Sequence, residues 1–194
     1  MPKTPNAPNS AANEIPANAV LVKTPADILH PYRGTPVEDL LAYHNLGADF
    51  RDHPKPELLI GTCMDYRVAF RLPKDFAFII RAGGANTHGL EFHISAAVAN
   101  GVKTICVIGH DQCAMCGVSS RKDSIVAGLV EHGGWEASTA TSHFDECAPN
   151  ADIKNLENFV RSEVKRLSKR YPSVLVAPLL YSVQNRLLYQ LELA

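Results

Sequence analysis

A chain of 194 residues with 46% hydrophobic content is long enough to bury one sizeable core, and its length favours a single domain with appendages over two domains. Its 19 basic and 20 acidic residues are interspersed, giving a formal charge of -1 and a pI near 6.7, which excludes the electrostatic footprint of a nucleic-acid or anionic-membrane binder. No apolar run approaches the roughly 20 residues of a membrane span and no secretory apolar segment opens the chain, so a soluble, cytoplasmic protein with small-molecule partners is expected.

The first 20 residues are rich in Pro, Asn and Ala, and seven of the thirteen prolines (positions 2, 5, 8, 16, 25, 31 and 36) fall at the start of the chain. Such a composition buries little surface, so 1–34 is expected to be a flexible or partner-wrapping arm and 35–194 the compact domain. "TPVEDLLAYHNL" then opens a helix, with a capping-box pattern from Thr35 to Glu38, Pro36 at the first helical position, and Val37, Leu40, Leu41 and His44 on one face. "ELLIGT" (57–62) and "FAFIIR" (76–81) read as short buried strands, and "THGLEFHISAAVANG" (87–101) carries Leu90, Ile94, Ala97 and Val98 at helical spacing. "KTICVIG" (103–109) is a further strand, rich in β-branched residues. Residues 120–150 show no sustained period and are expected to hold a loop or short helices. Residues 152–170 form an amphipathic helix with Leu156, Phe159, Val160, Val164 and Leu167 inward, and "SVLVAPLLYSV" with "LLYQLEL" reads as a last strand and its hairpin partner. Strands separated by helices imply an α/β fold: a mostly parallel central sheet flanked by helices, with an antiparallel edge strand at the C-terminus.

Two clusters follow strands. "GTCMDYRV" places Cys63, Asp65 and Arg67 at alternate positions, which in an extended segment project to one side and turn Met64 and Tyr66 to the other as packing groups. "GHDQC" places His110 and Cys113 after the "KTICVI" strand. Sites in parallel sheets form beyond the carboxyl ends of strands, and two thiolates with one imidazole suit Zn2+ with a fourth position left open. Arg67 could hold Asp65 off that metal and leave the carboxylate free to accept a hydrogen bond there. Five cysteines, an odd number, favour metal binding or catalysis over a disulfide framework. Cys106 reads as strand packing, and Cys116 either packs beside the ligand or forms a redox pair with Cys113. His88, His93, His132 and His143 have no assigned role.

Cys-x-Asp-x-Arg followed some 40 to 50 residues later by His-x-x-Cys, with an arginine and a glycine motif between, resembles the β-class carbonic anhydrases over about residues 35 to 190. The resemblance implies Cys63, His110 and Cys113 as zinc ligands, Asp65 and Arg67 as the catalytic dyad, and reversible hydration of carbon dioxide by zinc-bound hydroxide. It implies a homodimer or higher even homo-oligomer with the N-terminal segment packed on a partner. Hydrolysis of carbonyl sulfide or carbon disulfide at the same site, or a non-catalytic zinc protein, are its alternatives. The chain departs from the family at Arg81-Ala82-Gly83-Gly84, where an Asn is usual after the arginine, and at Asp111 beside the ligand histidine.

Overall fold

The computed structural model describes residues 11–193, and the stretch before Ala11, where the arm begins, lies outside them. Six strands form one sheet in the order β1 (Val20–Leu21), β6 (Leu188–Gln190), β5 (Leu175–Tyr181), β4 (Thr104–His110), β2 (Leu58–Thr62), β3 (Ala77–Arg81). The four strands from β3 to β5 run parallel, while β6 pairs antiparallel with both β5 and β1. Both faces are covered, so β2 and β4 are buried at every position and read as continuous apolar runs rather than as alternating ones.

Helix α1 (Pro36–His44) starts with Thr35 accepting the Val37 N–H, but Glu38 reaches the Gly34 N–H, one residue before the position a capping box requires. Its Val37, Leu40, Leu41 and Tyr43 join Ile60, Phe76, Ile108 and Leu179 in one core cluster on one side of the sheet. The other side is covered by α2 (Glu91–Ala99) and α5 (Leu156–Arg170), whose Ile94, Val160 and Leu167 pack with Ile105, Val107 and Leu180. Gly109 is what allows α5 so close: a Cβ there would stand 2.7 Å from Leu156 Cδ1 and Val160 Cγ2. Glu163 departs from the amphipathic pattern of α5, since it is only 1% exposed. It is accommodated because Thr87 and Arg166 donate to its carboxylate and His88 lies 2.7 Å from it.

Three expectations need correction. Residues 120–150 hold two full helices, α3 (Lys122–Gly133) and α4 (Ala137–Ala151). The period is hidden because α3 buries no side chain and α4 buries only Ala140, Phe144 and Ala148. Within the described residues, part of the stretch assigned to the arm also enters the core: β1 extends the sheet, and Val22, Ile28 and Tyr32 are buried with α1. Met64 and Tyr66, expected to pack, are 70% and 82% exposed. Strand β2 ends at Thr62, so the pleat that would have turned them inward is not there. Among the described residues no helix is long and apolar enough to cross a membrane.

Candidate metal centre

The chain runs from β2 to β3 on one side and then crosses to β4 on the other, which makes the carboxyl ends of β2 and β4 the topological switch point of the sheet. Register brings the two clusters together there. Thr62 pairs with Ile108 and its hydroxyl donates to the Ile108 carbonyl at 3.0 Å, so Cys63 leaves its strand beside the end of β4 that carries His110.

Cys63 Sγ, a His110 ring nitrogen and Cys113 Sγ lie within 4.8 Å of one another, all three buried. The thiol sulfurs are 3.9 Å apart. Two sulfurs bound tetrahedrally at about 2.3 Å from one zinc stand about 3.8 Å apart, so the spacing fits. The ring of His110 supplies a second test. Its Nδ1 lies 2.7 Å from the Asp111 carbonyl, which can only accept, so Nδ1 carries the proton. Nε2 is then a bare lone pair, buried and without a hydrogen-bond partner, which is the state of a histidine prepared for a metal. The two thiols push each other apart in acidity: their mutual hydrogen bond lowers Cys63 despite its burial, and the same bond together with burial raises Cys113.

Asp65 and Arg67 meet through a turn rather than through a strand, with the Val68 N–H donating to the Asp65 carbonyl. Arg67 grips the carboxylate at both oxygens, Nε to Oδ1 at 3.0 Å and Nη2 to Oδ2 at 2.7 Å, while its backbone N–H adds a bond to Oδ1 at 2.9 Å. Burial alone would raise the Asp65 carboxyl, but the side-chain and backbone hydrogen bonds from Arg67 outweigh it and hold the group below the usual carboxylate range. Oδ2 sits 3.9 Å from His110 Nε2, at the edge of the ligand set without being part of it.

The loops carrying the three candidate ligands are braced from several sides. Arg81 donates to the carbonyls of Cys63 and Val68, on either side of Asp65 and Arg67. The Gly84 N–H points at Cys63 Sγ at 3.3 Å. Gly84 has φ +68, and a Cβ there would fall 2.5 Å from Ile153 Cγ2, so a glycine is what lets the backbone bring this donor to Cys63 Sγ. Asp111 is not among the candidate ligands and is engaged elsewhere: Ser182 Oγ donates to its Oδ2 at 3.0 Å and the Val183 N–H to its Oδ1 at 2.7 Å. It ties the His110 loop to the end of β5 and offers the metal nothing. Cys116 packs beside Ile153 with its thiol donating to the Lys154 carbonyl, and Cys106 is fully buried in β4. His88 pairs with Glu163, while His93, His132 and His143 are exposed. Asp111 was visible as a departure from a motif but not as a brace, and the Gly84 bond to Cys63 was not visible either, since bonds to the stretch after β5 and to a thiol across 21 residues leave no local signature.

No family model and no curated protein matches the sequence. Solved structures do. β-Carbonic anhydrase isoform I of Trichomonas vaginalis superposes with a TM-score of 0.59 at 18% identity, covering 84% of this chain and 97% of its own. A carbonic anhydrase of Glaciozyma antarctica gives 0.55 at 20%, covering 84% and 99%. An apo form of carbon disulfide hydrolase gives 0.50 at 18%, covering 70% and 78%. The six-stranded sheet and its flanking helices are therefore the β-carbonic anhydrase fold.

Proposed function

We propose that the protein is a zinc enzyme that reversibly hydrates carbon dioxide to bicarbonate, with Cys63, His110 and Cys113 as the metal ligands and Asp65 with Arg67 as the catalytic pair. The observation that carries this reading is the buried, unpartnered His110 Nε2 converging with two thiols beside a carboxylate that an arginine holds at both oxygens. Zinc in that set would act as a Lewis acid that lowers the pKa of a water in its fourth position and so supplies a nucleophile near neutral pH.

The remaining work falls to the chain. Asp65 stays ionised and accepts the hydrogen bond of the attacking water, which turns an oxygen lone pair toward the carbon of carbon dioxide. Arg67 fixes the rotamer of Asp65 and competes for its lone pairs, keeping the carboxylate out of the ligand set. The Gly84 N–H donates toward Cys63 Sγ and offsets part of the thiolate charge in a buried site. A purely structural zinc site has no use for an arginine that frees a carboxylate, which argues against the non-catalytic alternative.

The likeness to carbon disulfide hydrolase favours a second substrate class, carbonyl sulfide or carbon disulfide, attacked in the same way. Stopped-flow hydration of carbon dioxide across pH, on protein of measured zinc content, separates the readings. The first predicts a zinc-dependent rate that Asp65→Asn reduces by about 10²–10⁴ with zinc retained. Full zinc occupancy with turnover of the sulfur compounds alone supports the second, and full activity in zinc-loaded Asp65→Asn removes Asp65 from the chemistry.

The assembly belongs to the same reading. Among the described residues β3 is an open sheet edge, and Phe78 (40%) and Ile79 (44%) on β3 and Phe92 (81%) on α2 are exposed. A second copy of the chain covers this apolar edge. Sedimentation should give a dimer or higher even species that Ile79→Lys dissociates; a monomeric wild type would rule the assembly out.

A further inference from the structure

The loop between His110 and Cys113 is held by a residue from the far end of the chain. Asn13, at the end of the 3-10 turn Ala11–Asn13, is 3% exposed and faces Cys113 across 100 residues of sequence. Its Nδ2 donates to the Cys113 carbonyl at 3.1 Å, and the Cys113 N–H donates to its Oδ1 at 2.9 Å. Its own carbonyl accepts the Gln112 N–H at 3.0 Å. One side-chain amide thus pairs with both polar groups of one backbone residue, as a neighbouring strand would. The loop has need of it, because Gln112 sits at φ +52, a left-handed conformation that residues with a Cβ adopt only when their surroundings hold them.

We propose that Asn13 is a positioning residue of the metal centre: by clamping the N–H and C=O of Cys113 it sets the place of Cys113 Sγ relative to Cys63 and His110, which makes the N-terminal segment part of the site. The inference rests on the zinc reading above. It differs from a mere fastening of the segment to the domain, and Asn45 provides the comparison. Asn45 donates to the carbonyls of Val22 and Leu188 and accepts the Leu188 N–H, so it ties down the same segment without touching either ligand loop.

The test measures zinc affinity by competition with a chromophoric chelator, and the cobalt(II) absorption spectrum, in the wild type, Asn13→Ala, Asn13→Asp and Asn45→Ala. Loss of the clamp should weaken zinc binding about 10–100-fold, the usual cost of removing a group that orients a ligand. It should also alter the thiolate-to-cobalt bands. Asn13→Asp keeps the acceptor for the Cys113 N–H and should fall between the two; it serves as the measured variant if Asn13→Ala does not fold. Asn45→Ala should lower the melting temperature with zinc affinity and cobalt spectrum unchanged. Zinc held by the Asn13 variants as tightly as by the wild type overturns the proposal, as does an equal loss of affinity in Asn45→Ala. A wild type that binds no zinc, or that binds it equally well as Cys63→Ser, brings down the zinc reading itself and this inference with it.

Discussion

Replacing Gly84 with alanine tests whether the glycine motif after Arg81 exists to aim a backbone donor at Cys63. Two separable costs arise. Gly84 has φ +68, where an L-residue gains about 1–2 kcal/mol of strain. Its new Cβ would also lie 2.5 Å from Ile153 Cγ2 and 3.2 Å from Met115 Cβ, an overpacking that costs about 1–3 kcal/mol more. Gly47 has nearly the same backbone, φ +69, and a methyl there would meet nothing within 4 Å, so Gly47→Ala carries the strain alone. An unfolding entropy of about 2 cal/mol/K per residue gives this chain about 0.4 kcal/mol/K, so Gly84→Ala should lower the melting temperature by about 5–12 °C and Gly47→Ala by about 2–5 °C. Calorimetry on the two variants with metal removed, followed by zinc titration, reads both the clash and the lost bond to Cys63. Equal melting shifts, or unaltered zinc affinity in Gly84→Ala, would refute the reasoning.

Glu163 makes stability depend on acid. Burial raises its carboxyl, but bonds from Arg166 and Thr87 and the charges of Arg166 and His88 more than compensate, and its pKa lies below the ordinary 4.5. A group depressed in the folded state stabilises fully above its unfolded pKa, so this contribution persists at neutral pH and fades as pH falls below 4.5. Urea midpoints measured from pH 7 to pH 3 should fall less steeply in Glu163→Gln than in the wild type, and parallel curves would show the network to be inert. Asp111→Ala removes the acceptor for Ser182 and Val183 and should cost about 1–3 kcal/mol in denaturant unfolding. The same variant should keep zinc at one ion per chain by atomic absorption, and loss of the ion would place Asp111 among the ligands after all.

The legible parts of the molecule were those whose physics is local. Apolar runs such as "ELLIGT" and "KTICVIG" read as buried parallel strands, and Cys63 and His110 directly follow them, so the fold and the candidate ligands were legible in the same stretches. The α3–α4 region defeated periodicity because a helix with no buried face has no stripe to detect. Asn13 gave no signal at all. It lies in a stretch rich in Pro, Asn and Ala, and its value comes from pairing with Cys113, a contact that no window of sequence contains. The burial of Glu163 has no local signal either, because the partners that make it tenable, Thr87 and His88, come from outside its own helix.

The bare face of α3 bears on how the molecule breathes. Its side chains meet α4 and the 3-10 turn Val118–Arg121, and none of them is buried in either sheet-side cluster. Lifting that helix away exposes little apolar surface, so its amides exchange with solvent through a local opening far cheaper than global unfolding. The strands that lead into the candidate metal site lie at the other extreme, with every residue of β2 and β4 buried. A protease or a deuterium pulse would thus find a soft outer hairpin fastened to a rigid centre, and the two would lose their structure at different temperatures.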